Sequence, residues 1–187
     1  MQMLRVGRIV VQAAPHPIGA CTDLYRFSTS LPYLLARLGV RMGELFAREL
    51  ARDGLTLPMF RVLAVLTETG EKQRLGELSA LTSTETSTMS RLLSEMQRRG
   101  LVTRERPEND QRSLSVCLTK SGAKLAARLI PRAAHYERVA LGDLSARSAA
   151  QLKTELMQIY GRLDTLEEEI ATVEEAVKPG RKRQSRG

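Results

Sequence analysis

Apolar residues recur at three- and four-residue steps between Leu31 and Leu50, and this spacing predicts an amphipathic helix. Ser30 can cap the start of that helix, with Pro32 in its first turn, and the pattern ends near Asp53 and Gly54. The chain before residue 30 has no sustained period and is predicted to be a loose extension or a short additional element.

Three further helices are predicted before residue 100. The first follows Thr56, has Pro58 early and ends near Gly70. A short helix over 75–81, a tight polar break and a longer helix ending at Arg99 and Gly100 come next. Two short helices joined by a tight break are typical of a helix-turn-helix.

The longer of these helices has two unlike faces. One face is apolar and contains Met89, Leu92, Leu93 and Met96. The other carries Thr84, Ser87, Thr88 and Arg91. Solvated helix faces more often carry Glu and Lys, so this hydroxyl-rich face is unusual. Thr82 and Glu85 have the spacing of a capping box and predict a helix start at Thr82.

Residues 101–106 and 113–118 fit two extended strands. In the second strand Leu114, Val116 and Leu118 alternate with Ser113, Ser115 and Cys117. Residues 107–110, Pro-Glu-Asn-Asp, supply a reversal between the strands. The hairpin follows the two helices, and this order predicts a winged helix-turn-helix.

The carboxyl-terminal part of the chain is predicted to be helical. One helix begins after Thr119, runs to about Leu141 with a kink at Pro131, and ends near Gly142. The last helix has apolar residues at alternating steps of four and three, which form a heptad seam and predict packing against another helix. These residues are Leu152, Leu156, Ile159, Leu163, Leu166, Ile170, Val173 and Val177. Residues 178–187 form a basic tail that we expect to be disordered.

Composition supports a mainly α protein with a small β hairpin, because only 4% of the 187 residues are aromatic and 42% are hydrophobic. A formal net charge of +8 favours a polyanionic partner. Cys21 and Cys117 form neither a disulfide framework nor a metal cluster, and we expect no metal and no cofactor. No run is long enough for a membrane span, and the apolar run near the amino terminus is too short for a signal peptide, which favours the cytoplasm.

Motifs of nucleophilic, metalloprotease or phosphate-binding sites are absent from the sequence, and an enzyme is therefore not expected. Between Leu31 and Leu166 the chain resembles the MarR family of bacterial winged helix-turn-helix regulators. The resemblance rests on four segments in a specific order: LTLPMFRVLAVL, STMSRLL, RRGLVTRE and DQRSLSVCLTKSG. The last matches the family's D-x-R, five intervening residues, then L-T-x-x-G.

The resemblance implies a homodimer with two winged lobes that bind a pseudopalindromic operator in double-stranded DNA. It also implies repression that small aromatic or anionic ligands relieve from a cleft between the dimer body and the DNA-binding lobe. The implied domains are an extension (1–29), a first dimerisation helix (30–54), a DNA-binding lobe (55–118), dimerisation helices (119–177) and a tail (178–187).

Recognition helices read the major groove through their amino-terminal part, and wings reach the adjacent backbone or minor groove. The candidate DNA-binding residues are Thr84, Thr86, Ser87, Thr88, Ser90, Arg91, Arg104, Arg106 and Arg112. Thr84 and Thr86 could instead complete a helix cap, and Ser90 could pack. Asp110 is two residues from Arg112, so the two side chains could pair, and the resemblance gives Asp110 the role of holding the wing.

Polar or aromatic side chains that would line the ligand cleft are Tyr33, Arg37, Arg41, Arg61 and His135, and each could instead be a surface or ion-pairing residue. An arginine there would suit an aromatic acid or its coenzyme A thioester. Cysteine-based redox sensing is one alternative, but Pro32 occupies the position matched to the family's sensing cysteine. An architectural DNA-binding protein without an effector is another.

Overall fold

The computed structural model describes residues 26–105 and 114–177 together with two short strands near the amino terminus. Its helices are α1 (Leu31–Ala51), α2 (Leu57–Thr69), α3 (Leu75–Leu81), α4 (Thr86–Arg98), α5 (Lys120–Leu141), α6 (Ala146–Gly161) and α7 (Leu163–Val177). Its strands are β1 (Arg5–Val6), β2 (Ile9–Val10), β3 (Gln73–Arg74), β4 (Val102–Glu105) and β5 (Ser115–Leu118). A 3-10 turn spans Phe27–Thr29.

The chain divides into two compact units, residues 1–45 and 46–187. In the first unit, β1 and β2 pair in antiparallel register, with Arg5 opposite Val10. The Ser30 carbonyl accepts a hydrogen bond from the Leu34 amide, as expected of the residue before a helix, while the Ser30 hydroxyl donates to the Phe27 carbonyl. The predicted start of α1 is therefore confirmed.

The second unit has one hydrophobic core beneath the helix-turn-helix. Its fully buried side chains come from α1, α2, α3, α4, the sheet and α5, and they include Leu50, Leu63, Leu78, Leu93, Val116 and Leu129. The edge-on rings of Phe46 and Phe60, 4.9 Å apart, extend this core. Apolar residues at helical spacing on α2 and α4 thus pack in the core and hold α4, which carries most of the DNA-binding candidates, in place.

A three-stranded antiparallel sheet forms the base of the wing, in the order β3-β5-β4. Val102 pairs with Leu118 and Glu105 with Ser115, which confirms the predicted hairpin. Strand β3 was not predicted, because two residues are too few to show an alternating pattern. The predicted reversal at residues 107–110 lies outside the described residues, as do the tail at 178–187 and most of the amino-terminal extension.

Most predicted helix ends are confirmed. Thr56 accepts a hydrogen bond from the Met59 amide, and Thr119 accepts one from the Gly122 amide at 3.0 Å. Gly70 ends α2 with a φ of 65°, a conformation that glycine adopts without strain. Pro131 lies inside α5, which continues to Leu141 as expected.

Two predictions need correction. Thr82 does not begin the recognition helix: it is the last residue of the α3 turn, and Glu85 is the N-cap of α4. The carboxylate is longer than a hydroxyl and reaches the first free amides of α4, while the Thr82 hydroxyl donates back to the Leu78 carbonyl. The heptad seam is also divided between α6 and α7, because the chain turns at Arg162.

Candidate nucleic-acid interface

Helix α4 exposes a row of small hydroxyl side chains, while its apolar face is buried in the core. Met89, Leu93 and Met96 are fully buried, so the apolar face of α4 is fixed in the core. The opposite face exposes Ser87, Thr88 and Arg91, and Thr86 is exposed at the first position of the helix. Short side chains allow a backbone to approach closely, and hydroxyls can donate to or accept from base edges and phosphates.

Glu85 organises the amino-terminal end of this face. Its carboxylate accepts hydrogen bonds from the Ser87 and Thr88 amides at 3.4 and 3.3 Å, and also from both of their hydroxyls. The Ser87 hydroxyl and amide bonds are the main reason why the pKa of Glu85 lies below its ordinary value. The recognition helix therefore begins with an ionised cap that also fixes the rotamers of two DNA-binding candidates.

Thr84 and Ser90 are less available than the candidates Thr86, Ser87, Thr88 and Arg91, since both are half-buried. The Thr84 hydroxyl lies 3.0 Å from the Thr82 hydroxyl and donates to the Thr82 carbonyl at 3.3 Å. These contacts are those of a turn-forming residue. Ser83, between them, has a φ of 51°, which is uncommon for a residue other than glycine and marks the sharp turn between α3 and α4.

Arg104 connects the wing to the recognition helix. Its Nη1 donates to the Ser94 hydroxyl at 2.7 Å, so the guanidinium of a β4 residue lies beside α4. A planar guanidinium has five N–H donors, which leaves donors free for a phosphate. The predicted partners farther along the wing, Arg106, Asp110 and Arg112, lie outside the described residues.

Arg99 follows α4 and holds it to the first turn of the lobe. Its Nη1 donates to the Gly54 carbonyl at 2.8 Å and its Nη2 to the Asp53 carbonyl at 3.4 Å. The Asp53 carboxylate in turn pairs with Arg128 and Arg132 of α5. No local sequence pattern indicates this chain of contacts, because its members are more than 40 positions apart. It ties the recognition helix, the end of α1 and α5 together.

The candidate ligand-binding residues make local contacts. Arg37 stacks over the Tyr33 ring at 5.5 Å and donates to its hydroxyl, while Arg41 pairs with Glu44 at 3.6 Å. Arg61 donates to the Thr82 carbonyl at 3.4 Å. His135 Nδ1 lies 3.0 Å from Arg138 Nη2, and because arginine has no acceptor, Nδ1 accepts in that contact.

An open groove of about 510 Å³ lies between the end of α2, β5 and the start of α5. Leu66, Leu118 and Cys117 line it, together with Lys72, whose hydrogen bond to the Glu105 carboxylate raises the pKa of its ammonium group. Cys117 is half-buried, and its Sγ lies 2.9 Å from the Thr103 hydroxyl. The five candidate ligand-binding residues are elsewhere.

Known transcriptional regulators share both the sequence and the fold. The MarR family model matches residues 53–113, which begin just after α1 and extend past β4. The organic hydroperoxide resistance transcriptional regulator of Bacillus subtilis is 30% identical over 146 residues, which cover 77% of this chain and 94% of that protein.

Solved structures extend the similarity to the fold. A MarR family transcriptional regulator from Silicibacter pomeroyi is 32% identical with a TM-score of 0.64, covering 74% of this chain and 98% of that one. Bordetella bronchiseptica BpsR, whose DNA binding is regulated by 6-hydroxynicotinic acid, is 24% identical with a TM-score of 0.65 over 73% and 96% of the two chains. Among the described residues, no helix is both long and apolar enough to cross a membrane.

Proposed function

Because the chain belongs to the MarR family of DNA-binding transcriptional regulators, we propose that it represses transcription as a homodimer on an inverted-repeat operator. A small aromatic or anionic effector releases it from that operator. The relatives are regulators rather than enzymes, which supports the expectation of a protein without catalytic activity. The protein acts on DNA in the cytoplasm.

The observation that carries this proposal is the two-faced α4. A helix whose apolar side is fully buried cannot rotate away from its lobe, so its exposed Thr86, Ser87, Thr88 and Arg91 have a fixed orientation. Such a helix fits the major groove, where it can contact both base edges and phosphates. Arg104 beside α4 adds a cation for the backbone. Arg106 and Arg112 remain sequence-based candidates for the wing.

Exposed apolar residues support the homodimer. In the first unit, Leu31, Leu34, Leu35 and Leu38 of α1 are each more than a third exposed. In the second unit, Leu152, Leu163, Leu166 and Ile170 continue the predicted heptad seam and are also exposed. Apolar seams of this kind are buried against another helix. A second copy of the chain, related by a twofold axis, supplies that helix, and the same twofold axis matches a palindromic site.

Genomic footprinting of the purified protein tests the operator. We expect protection of a short inverted repeat, and uniform weak retention of all DNA would instead support the architectural alternative.

Arg91→Ala and Arg112→Ala should each weaken operator binding by roughly 1 to 3 kcal/mol without changing the oligomeric state. Arg147→Ala, which removes an exposed arginine from α6, is the matched control and should bind normally. Wild-type affinity in both test variants would contradict the assignment of α4 and the wing.

The salt dependence of binding is a second test of the same interface. Neutralised phosphates release counterions, so the logarithm of the affinity should fall linearly with the logarithm of the salt concentration. Arg91→Ala should reduce the slope if Arg91 contacts a phosphate, and leave it unchanged while relaxing base preference if it contacts a base.

The Tyr33–Arg37 pair favours an aromatic acid as effector, because it offers an aromatic ring, a hydroxyl and a cation within one turn of α1. BpsR is regulated by an acid of this kind, although its likeness here concerns the fold alone. Calorimetric titration with aromatic carboxylates and their thioesters tests the class. Binding that Arg37→Ala abolishes and Arg48→Ala preserves would support the pair, whereas no binding across the panel would contradict it.

Peroxide sensing is a second candidate, favoured by the similarity to the Bacillus subtilis regulator. The residue matched to a sensing cysteine is Pro32, which leaves only Cys21 and Cys117. If a thiol is the sensor, organic hydroperoxide should release the wild-type protein from the operator. It should not release the variant that lacks the sensing cysteine, either Cys117→Ser or Cys21→Ser. Release that persists in the double variant, or no release at all, would contradict this candidate.

A further inference from the structure

Glu85 is the only acidic side chain in the segment from Thr82 to Arg91 that contains the exposed hydroxyl row of α4. Its two oxygens are used unequally. Oε2 accepts from the Ser87 hydroxyl, the Thr88 amide and the Thr88 hydroxyl. Oε1 accepts only from the Ser87 amide, at 3.4 Å. A carboxylate offers about four lone-pair positions, so Oε1 is held in place with accepting capacity left over.

A carboxylate at the tip of a recognition helix restricts what that tip can bind. It repels phosphate, and it has no donor while ionised. In the major groove the donors on base edges are the N4 amino group of cytosine and the N6 amino group of adenine. Adenine N6 lies beside the N7 acceptor, which opposes a carboxylate, whereas no acceptor lies beside the amino group on the cytosine edge.

We propose that Glu85, in the operator complex of the proposed function, reads a cytosine in each half-site by accepting a hydrogen bond from its N4 amino group at Oε1. The inference rests on the proposed placement of α4 in the major groove. Oε2 keeps its bonds to Ser87 and Thr88 during this contact.

Two features of the free protein suit this role. The bonds from the first turn of α4 fix the carboxylate before DNA arrives, so little side-chain entropy is lost on binding. The same bonds keep the pKa of Glu85 low, and the group is therefore an ionised acceptor at neutral pH. A cap that served only the helix would need no exposed, partly unused oxygen, and serine would suffice.

In vitro selection from random DNA tests the proposal with the full-length protein. Wild type should select an inverted repeat with about a tenfold preference for cytosine at one position of each half-site, the scale of one specific base contact. Glu85→Gln should shift that position towards adenine, because an amide can pair with both N6 and N7. Glu85→Ser, which can still cap α4, should lose the preference for cytosine at that position.

Glu95→Gln is the matched control, since it removes an acidic side chain near the other end of α4. It should select the wild-type sequence. An unchanged motif in Glu85→Gln and Glu85→Ser, with both variants folded by circular dichroism, would overturn the reading of cytosine by Glu85. A wild-type protein that selects no motif would instead contradict the proposed function, so the two failures are distinguishable.

Discussion

Gly122, the last residue of the L-T-x-x-G segment, lies where a side chain would meet backbone. A Cβ at this position would come within 2.0 Å of the Leu101 carbonyl oxygen. That oxygen is fixed, since it accepts hydrogen bonds from the Thr119 amide and hydroxyl. The start of α5 can therefore approach the end of α4 this closely only with glycine at position 122.

Gly122→Ala should lower the free energy of unfolding by about 1 to 3 kcal/mol, the usual cost of forcing an extra methyl into a packed site. Urea denaturation provides the measurement. Gly76→Ala in α3 is the matched control, because nothing lies within 4 Å of its added Cβ and alanine is the better helix former. It should be neutral or stabilising. Equal stability of the two variants would show that the Leu101 contact is not restrictive.

The ionised Glu85 cap makes stability depend on pH in a defined direction. Its pKa is lowered in the folded protein, so its contribution is complete above the ordinary pKa of a glutamic acid and is lost as the pH falls through the lowered value. The stability difference between wild type and Glu85→Gln should therefore be largest near neutrality and shrink below roughly pH 4. Urea denaturation at several pH values would reveal it, and a constant difference would contradict an ionised cap.

The sequence predicted the helix starts after Thr56 and Thr119 correctly, because a local spacing determines them and each cap bonds an amide only three positions away. The predicted helix start at Thr82 is wrong, because the spacing of Thr82 and Glu85 does not distinguish two arrangements. In one, the Thr82 hydroxyl caps the next helix; in the other, it bonds back to α3 and the Glu85 carboxylate caps α4. The role of Arg99 has no local pattern, since its carbonyl partners at 53 and 54 are set by tertiary packing.

At the scale of elements, the end of α1 and α5 are joined by a network of ion pairs. Asp53 Oδ2 accepts from Arg132 at 3.0 Å and Asp53 also pairs with Arg128, while Glu49 pairs with Arg132 and Arg52. The side chains of Asp53 and Glu49 are each only 15% exposed. Pairs that are shielded on the acidic side are screened less by salt than fully exposed ones.

Asp53→Asn should therefore destabilise the protein by about 1 to 2 kcal/mol, at the lower end of the values for hydrogen bonds to charged groups because Arg128 and Arg132 are partly exposed. Glu44→Gln is the control: its pair with Arg41 spans 3.6 Å between side chains that are more than half exposed, and its loss should cost under about 0.5 kcal/mol. Thermal or urea unfolding distinguishes them. Equal small effects would mean that the network does not hold α1 to α5.

Elements long enough to show a period were predicted correctly, and the exceptions have physical reasons. The heptad spacing of the sequence continues across Arg162, and an apolar spacing does not indicate the one-residue break at φ −86° and ψ −11° that divides α6 from α7. Strand β3 exists because Gln73 and Arg74 find backbone partners on β5, which no property of two isolated residues could indicate.

At the scale of the whole molecule, the proposed homodimer depends on apolar residues that one copy leaves exposed. Leu163, Leu166 and Ile170 of α7 are each about half exposed. Complete burial of a leucine side chain contributes about 1.5 to 3 kcal/mol, and twofold symmetry doubles each contribution. Two linked lobes then bind two half-sites with far greater affinity than one lobe.

Leu166→Glu places a charge in this seam and should convert the dimer to a monomer in sedimentation velocity experiments, because an unpaired charge is costly to bury. Operator affinity should fall by about a hundredfold or more as the second half-site contact is lost. Glu168→Ala changes an exposed residue of the same helix outside the seam and should leave both properties unaltered. A Leu166→Glu protein that remains dimeric with wild-type operator affinity would exclude this part of α7 from the dimer interface. A monomer with wild-type operator affinity would instead show that the two lobes act independently on DNA.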